Sequence, residues 1–211
     1  MSKERAKKIK MLLLDVDGVM TDGKIWLLPG VGKGSPQEKD KEDHVDQGGY
    51  AISGMHVVEG KGFNAHDGTA FSFAKLAGLK IGLITKRISE TVALRARDLR
   101  VEYLYQGISN KREVLEEIMA KEGLKSEEIA FVGDDVIDLP AMRRCGLAIA
   151  VPNAREEVKD EAHIVTDHSG GDGAVRDAVE YILRAQDKLG DVIEKYIHDR
   201  SPVKDRADLN K

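Results

Sequence analysis

Four short segments hold residues whose types and spacing suit the handling of a phosphate. Asp15-Val16-Asp17-Gly18-Val19-Met20-Thr21 follows a short apolar run. Residues two apart in an extended strand point to the same side, so Asp15 and Asp17 share one space, and Gly18 lets the backbone turn beneath them. One carboxylate of such a pair can attack phosphorus while the other acts as general acid and then base. Asp and Gly also make ordinary turns, so this tetrad alone leaves both readings open. Thr85-Lys86-Arg87 ends a second apolar run. A hydroxyl there can donate to a phosphate oxygen or cap the next helix. Lys111 opens a helix, where a cation is disfavoured unless an anion lies nearby; an exposed surface lysine is the plainer reading. Gly133-Asp134-Asp135-Val136-Ile137-Asp138 follows a third apolar run. Adjacent carboxylates repel unless a cation sits between them, and an all-oxygen set suits Mg²⁺, which keeps waters and shares phosphate oxygens. A solvated acidic loop is the alternative.

The elements that must position these segments are short. Residues 9–14, 80–84, 101–105, 129–132, 147–151 and 163–165 read as buried strands, and 69–77, 89–99, 111–122 and 139–144 as helices between them. Gly78, Gly123 and Gly146 stand where helix C-termini take a left-handed residue. This alternation implies an α/β fold, a Rossmann-like doubly wound parallel sheet with helices on both faces. Ligands of such sheets bind at the C-terminal strand ends, where all four segments fall, so one crevice can collect them. Val175, Val179, Ile182 and Leu183 mark the core face of a C-terminal helix. Residues 24–66 interrupt the alternation; 24–28 and 50–58 are expected to pair as a hairpin around a polar stretch. The expected organisation is one domain over 1–198, with a hairpin insertion at about 24–66 and a mobile tail at 199–211.

A chain of 211 residues buries roughly 70% of its unfolded surface as one domain. Its net charge of −4 gives no reason to expect nucleic acid or an anionic membrane as partner. An anionic substrate must then be held by a local group of cations. The single cysteine, Cys145, rules out an intrachain disulfide and suits a reducing compartment. The apolar run before Asp15 is too short for a signal peptide core or a membrane span, so a cytoplasmic location is expected. His44, His56, His66, His163, His168 and His198 show no metal-ligand spacing, and Trp26 reads as a hairpin or interface aromatic.

Asp15, Asp17, Thr85, Lys111, Asp134 and Asp135, in this chain order, resemble the four motifs of the haloacid dehalogenase-like (HAD-like) phosphatases over most of the chain. Asp15–Gly23, Phe63-Asn64 with Asp67-Gly68, Leu104-Tyr105-Gln106-Gly107 with Ser109-Asn110-Lys111, Val132-Gly133-Asp134-Asp135 with Asp138, and Gly170-Gly171 with Gly173-Ala174-Val175-Arg176 are similar to the 3-deoxy-D-manno-octulosonate 8-phosphate (KDO-8-phosphate) phosphatases. The resemblance implies a HAD-like fold with no separate cap domain and a long β-hairpin insertion after strand 1. It implies a homotetramer in which each hairpin covers a neighbour's site. It also implies Mg²⁺-dependent hydrolysis of a small phosphorylated sugar acid, a lipopolysaccharide precursor, through an aspartyl-phosphate. Carried over by position, Asp15 is the nucleophile and Asp17 the general acid and base. The Asp15 carboxylate, the Asp17 carbonyl and the Asp134 carboxylate bind Mg²⁺. Thr85 and Lys111 hold the phosphoryl group, with Asp135 and Asp138 in support. Asp17, Lys86, Arg87 and Arg176 are the substrate-binding candidates. The chain departs from the family in carrying Lys86 where glycine is usual, and in a longer hairpin region.

Three rival readings remain at this level. A receiver-type phospho-switch uses similar residues, but there the acidic pair comes first, whereas here it follows the threonine and lysine. An inactive scaffold of the same fold would have no need of all six motif residues. A phosphatase of a nine-carbon sialic-acid-type 9-phosphate keeps the chemistry and changes the sugar.

Overall fold

Met11, Leu12, Leu13 and Leu14 form an unbroken apolar run, the pattern of a strand covered on both faces, and all four side chains are fully buried. In the computed structural model, which describes residues 1–29 and 57–199, they make β1 (Met11–Leu14), a central strand. Its parallel neighbours are β4 (Lys80–Ile84) and β6 (Ile129–Gly133), with Leu14 level with Leu83 on one side and Val132 on the other. Beyond them lie β5 (Tyr103–Tyr105) on one edge and β7 (Leu147–Ala150) then β8 (Ile164–Val165) on the other, giving the order β5-β4-β1-β6-β7-β8. The chain thus winds away from β1 in two directions. The strand ends around β1 are the switch point at which such sheets bind ligands.

Two helix groups cover the sheet. α1 (Ser2–Ala6), α2 (Ala65–Ala77), α7 (Ala174–Ala185) and α8 (Leu189–Asp199) pack on one another, and α4 (Lys111–Glu122), α5 (Leu139–Met142) and α6 (Glu156–Glu161) form the second group. Right-handed crossovers running in opposite directions from β1 place the groups on opposite faces. Val175, Val179, Ile182 and Leu183 are fully buried along α7, the core face their spacing specifies. Among the described residues, no helix is long and apolar enough to cross a membrane.

Several element bounds differ from the sequence expectation for local reasons. α2 starts at Ala65 rather than residue 69, because Asn64 caps it, its side chain accepting from the His66 N–H at 2.7 Å. β1 starts at Met11 rather than residue 9, because the Ile9 N–H turns back to the Ala6 carbonyl at the end of α1. Val101 is likewise held by the Ala96 carbonyl of α3 (Glu90–Asp98), after Arg100 at a φ of 56°, and β5 begins later. Helices α1, α6 and α8 were not expected, and α8 extends to Asp199, one residue into the expected tail.

The hairpin consists of β2 (Trp26–Pro29) and β3 (Val57–Gly60), antiparallel, with Trp26 opposite Gly60 and Pro29 opposite Val57. Its second strand continues past the expected end at residue 58. Residues 30–56, with the expected polar stretch, and 200–211, the rest of the expected tail, lie outside the described residues.

Candidate active site

The turn after β1 is tied down by its own backbone. The N–H groups of Val19, Met20 and Thr21 all donate to the Val16 carbonyl, at 3.3, 2.9 and 3.1 Å, and the Asp15 N–H donates to Val132 at 3.0 Å. Gly18 sits at a φ of +88°, and a Cβ there would lie 2.1 Å from Asp134 Oδ2. Both the backbone conformation and the space therefore demand glycine. The loop after β6 is built around Asp138, which is fully buried. Its Oδ2 accepts the Asp134 and Asp135 N–H groups at 3.0 and 3.2 Å.

Lys111, the first residue of α4, has a fully buried side chain whose Nζ lies 2.6 Å from Asp15 Oδ1 and 2.7 Å from Asp138 Oδ1. These are the anions that a cation at a helix start requires. Asp15, Asp134 and Asp138 offer carboxylate oxygens that all lie within 4.8 Å of one another. Burial pushes the Asp15 carboxyl up to about 7 against the pull of Lys111, with Asp138 adding repulsion. Burial and then repulsion from Asp15, Asp138 and Asp135 push Asp134 up to about 8. Burial disfavours the Lys111 ammonium, but Asp15 and Asp138 outweigh it and hold its pKa above the ordinary value.

Three carboxylates around one ammonium leave a surplus of negative charge that a divalent cation matches. The donors are all oxygens, and Asp134 Oδ1 is buried without a hydrogen-bond partner among the described residues. The residues present therefore fit a hard divalent ion such as Mg²⁺. Asp138 is occupied otherwise, one oxygen on Lys111 and the other on two backbone N–H groups.

The other candidates separate into those at this cluster and those elsewhere. Asp17 pairs with Lys61, and its Oδ2 lies 3.9 Å from Arg87 Nε. Thr85 is buried at the end of β4, its Oγ1 accepting from the Arg87 N–H at 3.2 Å. Arg87 Nη2 also donates to Glu59 Oε2 at 3.1 Å. Lys86 is exposed. Asp135 is exposed too, and its Oδ1 caps the short turn Val136–Asp138 by accepting from the Val136 N–H at 2.7 Å. The contact with Lys111 is made by Asp138, not Asp135. The structure does not bring the Arg176 guanidinium to the cluster: it pairs with Glu180 and stands 4.1 Å over the Phe73 ring.

Three residues of this region escaped the sequence reading. Glu59 and Lys61 stand two apart in an extended run, the same one-face spacing that singled out Asp15 and Asp17, and that was the available signal. Asn153 clamps the turn, its Nδ2 donating to the Gly18 carbonyl at 2.8 Å and its Oδ1 accepting from the Gly170 N–H at 2.7 Å. A lone asparagine carries no such signal. Asp67, noted for the resemblance alone, accepts from the Arg176 N–H at 2.9 Å and holds the start of α7.

A parallel sheet whose central strand ends in a buried carboxylate, paired to a buried lysine beside a second acidic loop, defines a HAD-like hydrolase. A family profile described as haloacid dehalogenase-like hydrolase matches residues 84–178. The chain is 35% identical to the 3-deoxy-D-manno-octulosonate 8-phosphate phosphatase of Yersinia pestis, over 88% of this chain and 86% of that one. It is 34% identical to the enzyme of the same name from Escherichia coli K12, over 88% and 85%. A solved structure of the Moraxella catarrhalis phosphatase of that name, in complex with a magnesium ion, a phosphate ion and a KDO molecule, superposes with a TM-score of 0.76 at 31% identity, covering 92% of this chain and 97% of that one. The chain belongs to the family of 3-deoxy-D-manno-octulosonate 8-phosphate phosphatases.

Proposed function

We propose that the chain hydrolyses 3-deoxy-D-manno-octulosonate 8-phosphate to KDO and phosphate through a phosphoryl group carried on Asp15. The observation that carries this reading is the contact of Asp15 with Lys111 at 2.6 Å, inside a carboxylate cluster with charge and donors for one divalent ion. The Asp15 and Asp134 carboxylates and the Asp17 carbonyl would hold Mg²⁺. When bound, the ion would neutralise charge on the phosphoryl oxygens and on the two carboxylates.

Lys111 and Thr85 then hold the transferring phosphoryl group. Asp15 attacks phosphorus as the bond to the sugar oxygen breaks, and holding it in line contributes several kcal/mol through positioning. Asp17 gives its proton to the departing oxygen, worth about 10²–10⁴-fold. It then takes a proton from the water that attacks the phosphorus of the aspartyl-phosphate, which releases phosphate and restores Asp15. Asp138 keeps Lys111 aimed at Asp15 throughout. Asp135 supports this arrangement by capping the loop. Of the cations proposed for the sugar, Arg87 is the one in reach of Asp17. Lys86 stands exposed beside it, and Arg176 would have to leave Glu180.

Residues 1–198 act in this reading as one catalytic domain, in the cytoplasm, a reducing compartment that suits the lone buried Cys145. Trp26, Leu27, Leu28 and Val58 stand exposed on the hairpin, an apolar surface that supports assembly into a homotetramer. The test is a panel of sugar phosphates assayed for phosphate release with and without Mg²⁺. The octulosonate 8-phosphate is expected to exceed glucose 6-phosphate by about 10- to 100-fold in kcat/KM, the worth of one charge-assisted contact to its carboxylate. Equal turnover of glucose 6-phosphate, or faster turnover of a nine-carbon acid 9-phosphate, overturns the substrate. Full activity in excess chelator overturns the metal.

A further inference from the structure

The site holds a second buried lysine that the mechanism above leaves unused. Lys61 follows β3 directly, and its side chain is 0% exposed. Nothing in the core calls for a lysine there, and an ammonium without water is tolerated only against compensating charge. Its Nζ donates to Asp17 Oδ1 and stands 3.6 Å from Glu59 Oε1. The strand that carries it is itself anchored. Ser89 Oγ donates to Glu59 Oε1 at 2.6 Å, Arg87 Nη2 to Glu59 Oε2 at 3.1 Å, and Thr91 Oγ1 to the Glu59 carbonyl at 2.8 Å. Glu59 thus binds the hairpin to the first turn of α3 and to the loop after β4.

We propose that Lys61 is a positioning residue for Asp17. It fixes one carboxylate oxygen so that the other is presented to the departing sugar oxygen, and later to water, while the pinned β3 keeps the ammonium from following solvent. A carboxylate on a turn has two soft side-chain torsions, and a proton donor displaced by an ångström loses most of its effect. The hairpin so becomes part of the chemistry on the leaving-group side. Lys61 in this role touches neither phosphorus nor the nucleophile.

This inference rests on Asp17 being the general acid, and the experiment separates the two. Lys61→Met, Lys61→Arg and Asp17→Asn are compared on the octulosonate phosphate, whose alkoxide must be protonated as it leaves, and on p-nitrophenyl phosphate, whose phenolate leaves without help. If Lys61 acts through Asp17, Lys61→Met lowers kcat on the sugar phosphate about 10- to 100-fold, part of the range for proton transfer. The loss on the aryl ester is several-fold smaller, and KM changes little. Lys61→Arg shows the same selectivity in weaker form, and it carries the test if the Met variant does not fold. Equal losses on both esters for the Lys61 variants, or a loss confined to KM, overturn the inference while Asp17→Asn still discriminates. An Asp17→Asn variant that fails to discriminate overturns the acid assignment itself.

Discussion

Burial and mutual repulsion hold Asp15 and Asp134 in the folded chain at a cost, and this can be measured without any substrate. Their folded-state values, about 7 and about 8, lie above the ordinary 3.8. The folded chain therefore binds protons that the unfolded chain has already released. Stability from this source is complete below the unfolded value and is lost as pH rises through the folded values. In chelator, the Tm is expected to fall between about pH 5 and about pH 9, and saturating Mg²⁺ is expected to abolish most of that fall, because it binds the ionised carboxylates. A metal-free Tm that is flat or rising across the window would contradict the geometry of the cluster. Asp134→Asn should raise the metal-free Tm near pH 8 by relieving repulsion, while removing the Mg²⁺ response. Asp15→Asn should fold and bind substrate but release no phosphate; residual turnover with an intact circular dichroism spectrum would show that another group attacks. Asp138→Ala should be the most damaging single change here. It strips a buried lysine of one partner and two loop N–H groups of their acceptor, a loss of about 3–5 kcal/mol by chemical denaturation.

At the scale of elements, Ser89 joins two structures. Its Oγ accepts from the Val92 N–H at 3.4 Å as the cap of α3 and donates to Glu59 on β3. Ser89→Ala is expected to cost about 1 kcal/mol of stability, the worth of a cap. It should also loosen β3 and lower kcat on alkyl phosphates more than on aryl phosphates; an effect on Tm alone would mean that the hairpin is held without it. The sequence made the main sheet legible because its strands are short, largely apolar runs separated by helical segments. Asp15, Thr85 and Asp134 stand out as candidates where such runs end, and Lys111 as a cation at a helix start. Glu59 and Lys61 do not stand out in this way, because their contacts with Asp17, Arg87 and Ser89 join residues distant in sequence. The same limit explains Asp135 and Asp138. In sequence both are loop acids, and only the fold shows that one faces solvent while the other lies beneath Lys111. Arg176 stood in a recognisable motif, yet Glu180 one helical turn on takes its guanidinium, a local pairing that spacing alone allows but does not require.

For the whole molecule, the described surface carries one apolar strand that a free monomer has no use for. Trp26 is 57% exposed, with Leu27, Leu28 and Val58 beside it, and a two-stranded sheet of this size is marginal without a surface to pack against. Light scattering at micromolar concentration is expected to report a tetramer. Trp26→Glu is expected to dissociate it and to reduce turnover together with the assembly. A fully active monomer would show that turnover does not need the assembly, while leaving the contact of Lys61 with Asp17 in the same chain intact.

The pairing of Pro29 with Val57 has a consequence for how such a protein changes over generations. Whatever lies between these two residues starts and ends at neighbouring points of a closed ladder. Lengthening a flexible connection costs only about 0.6 kcal/mol per doubling. The ladder sets the separation of Pro29 and Val57 whatever the number of residues that join them, so Lys61 can stay in place when that number changes. Selection is free to change that number without disturbing the lysine that stands against Asp17. A change in the length of that connection should therefore leave the rate on a small aryl phosphate where it was.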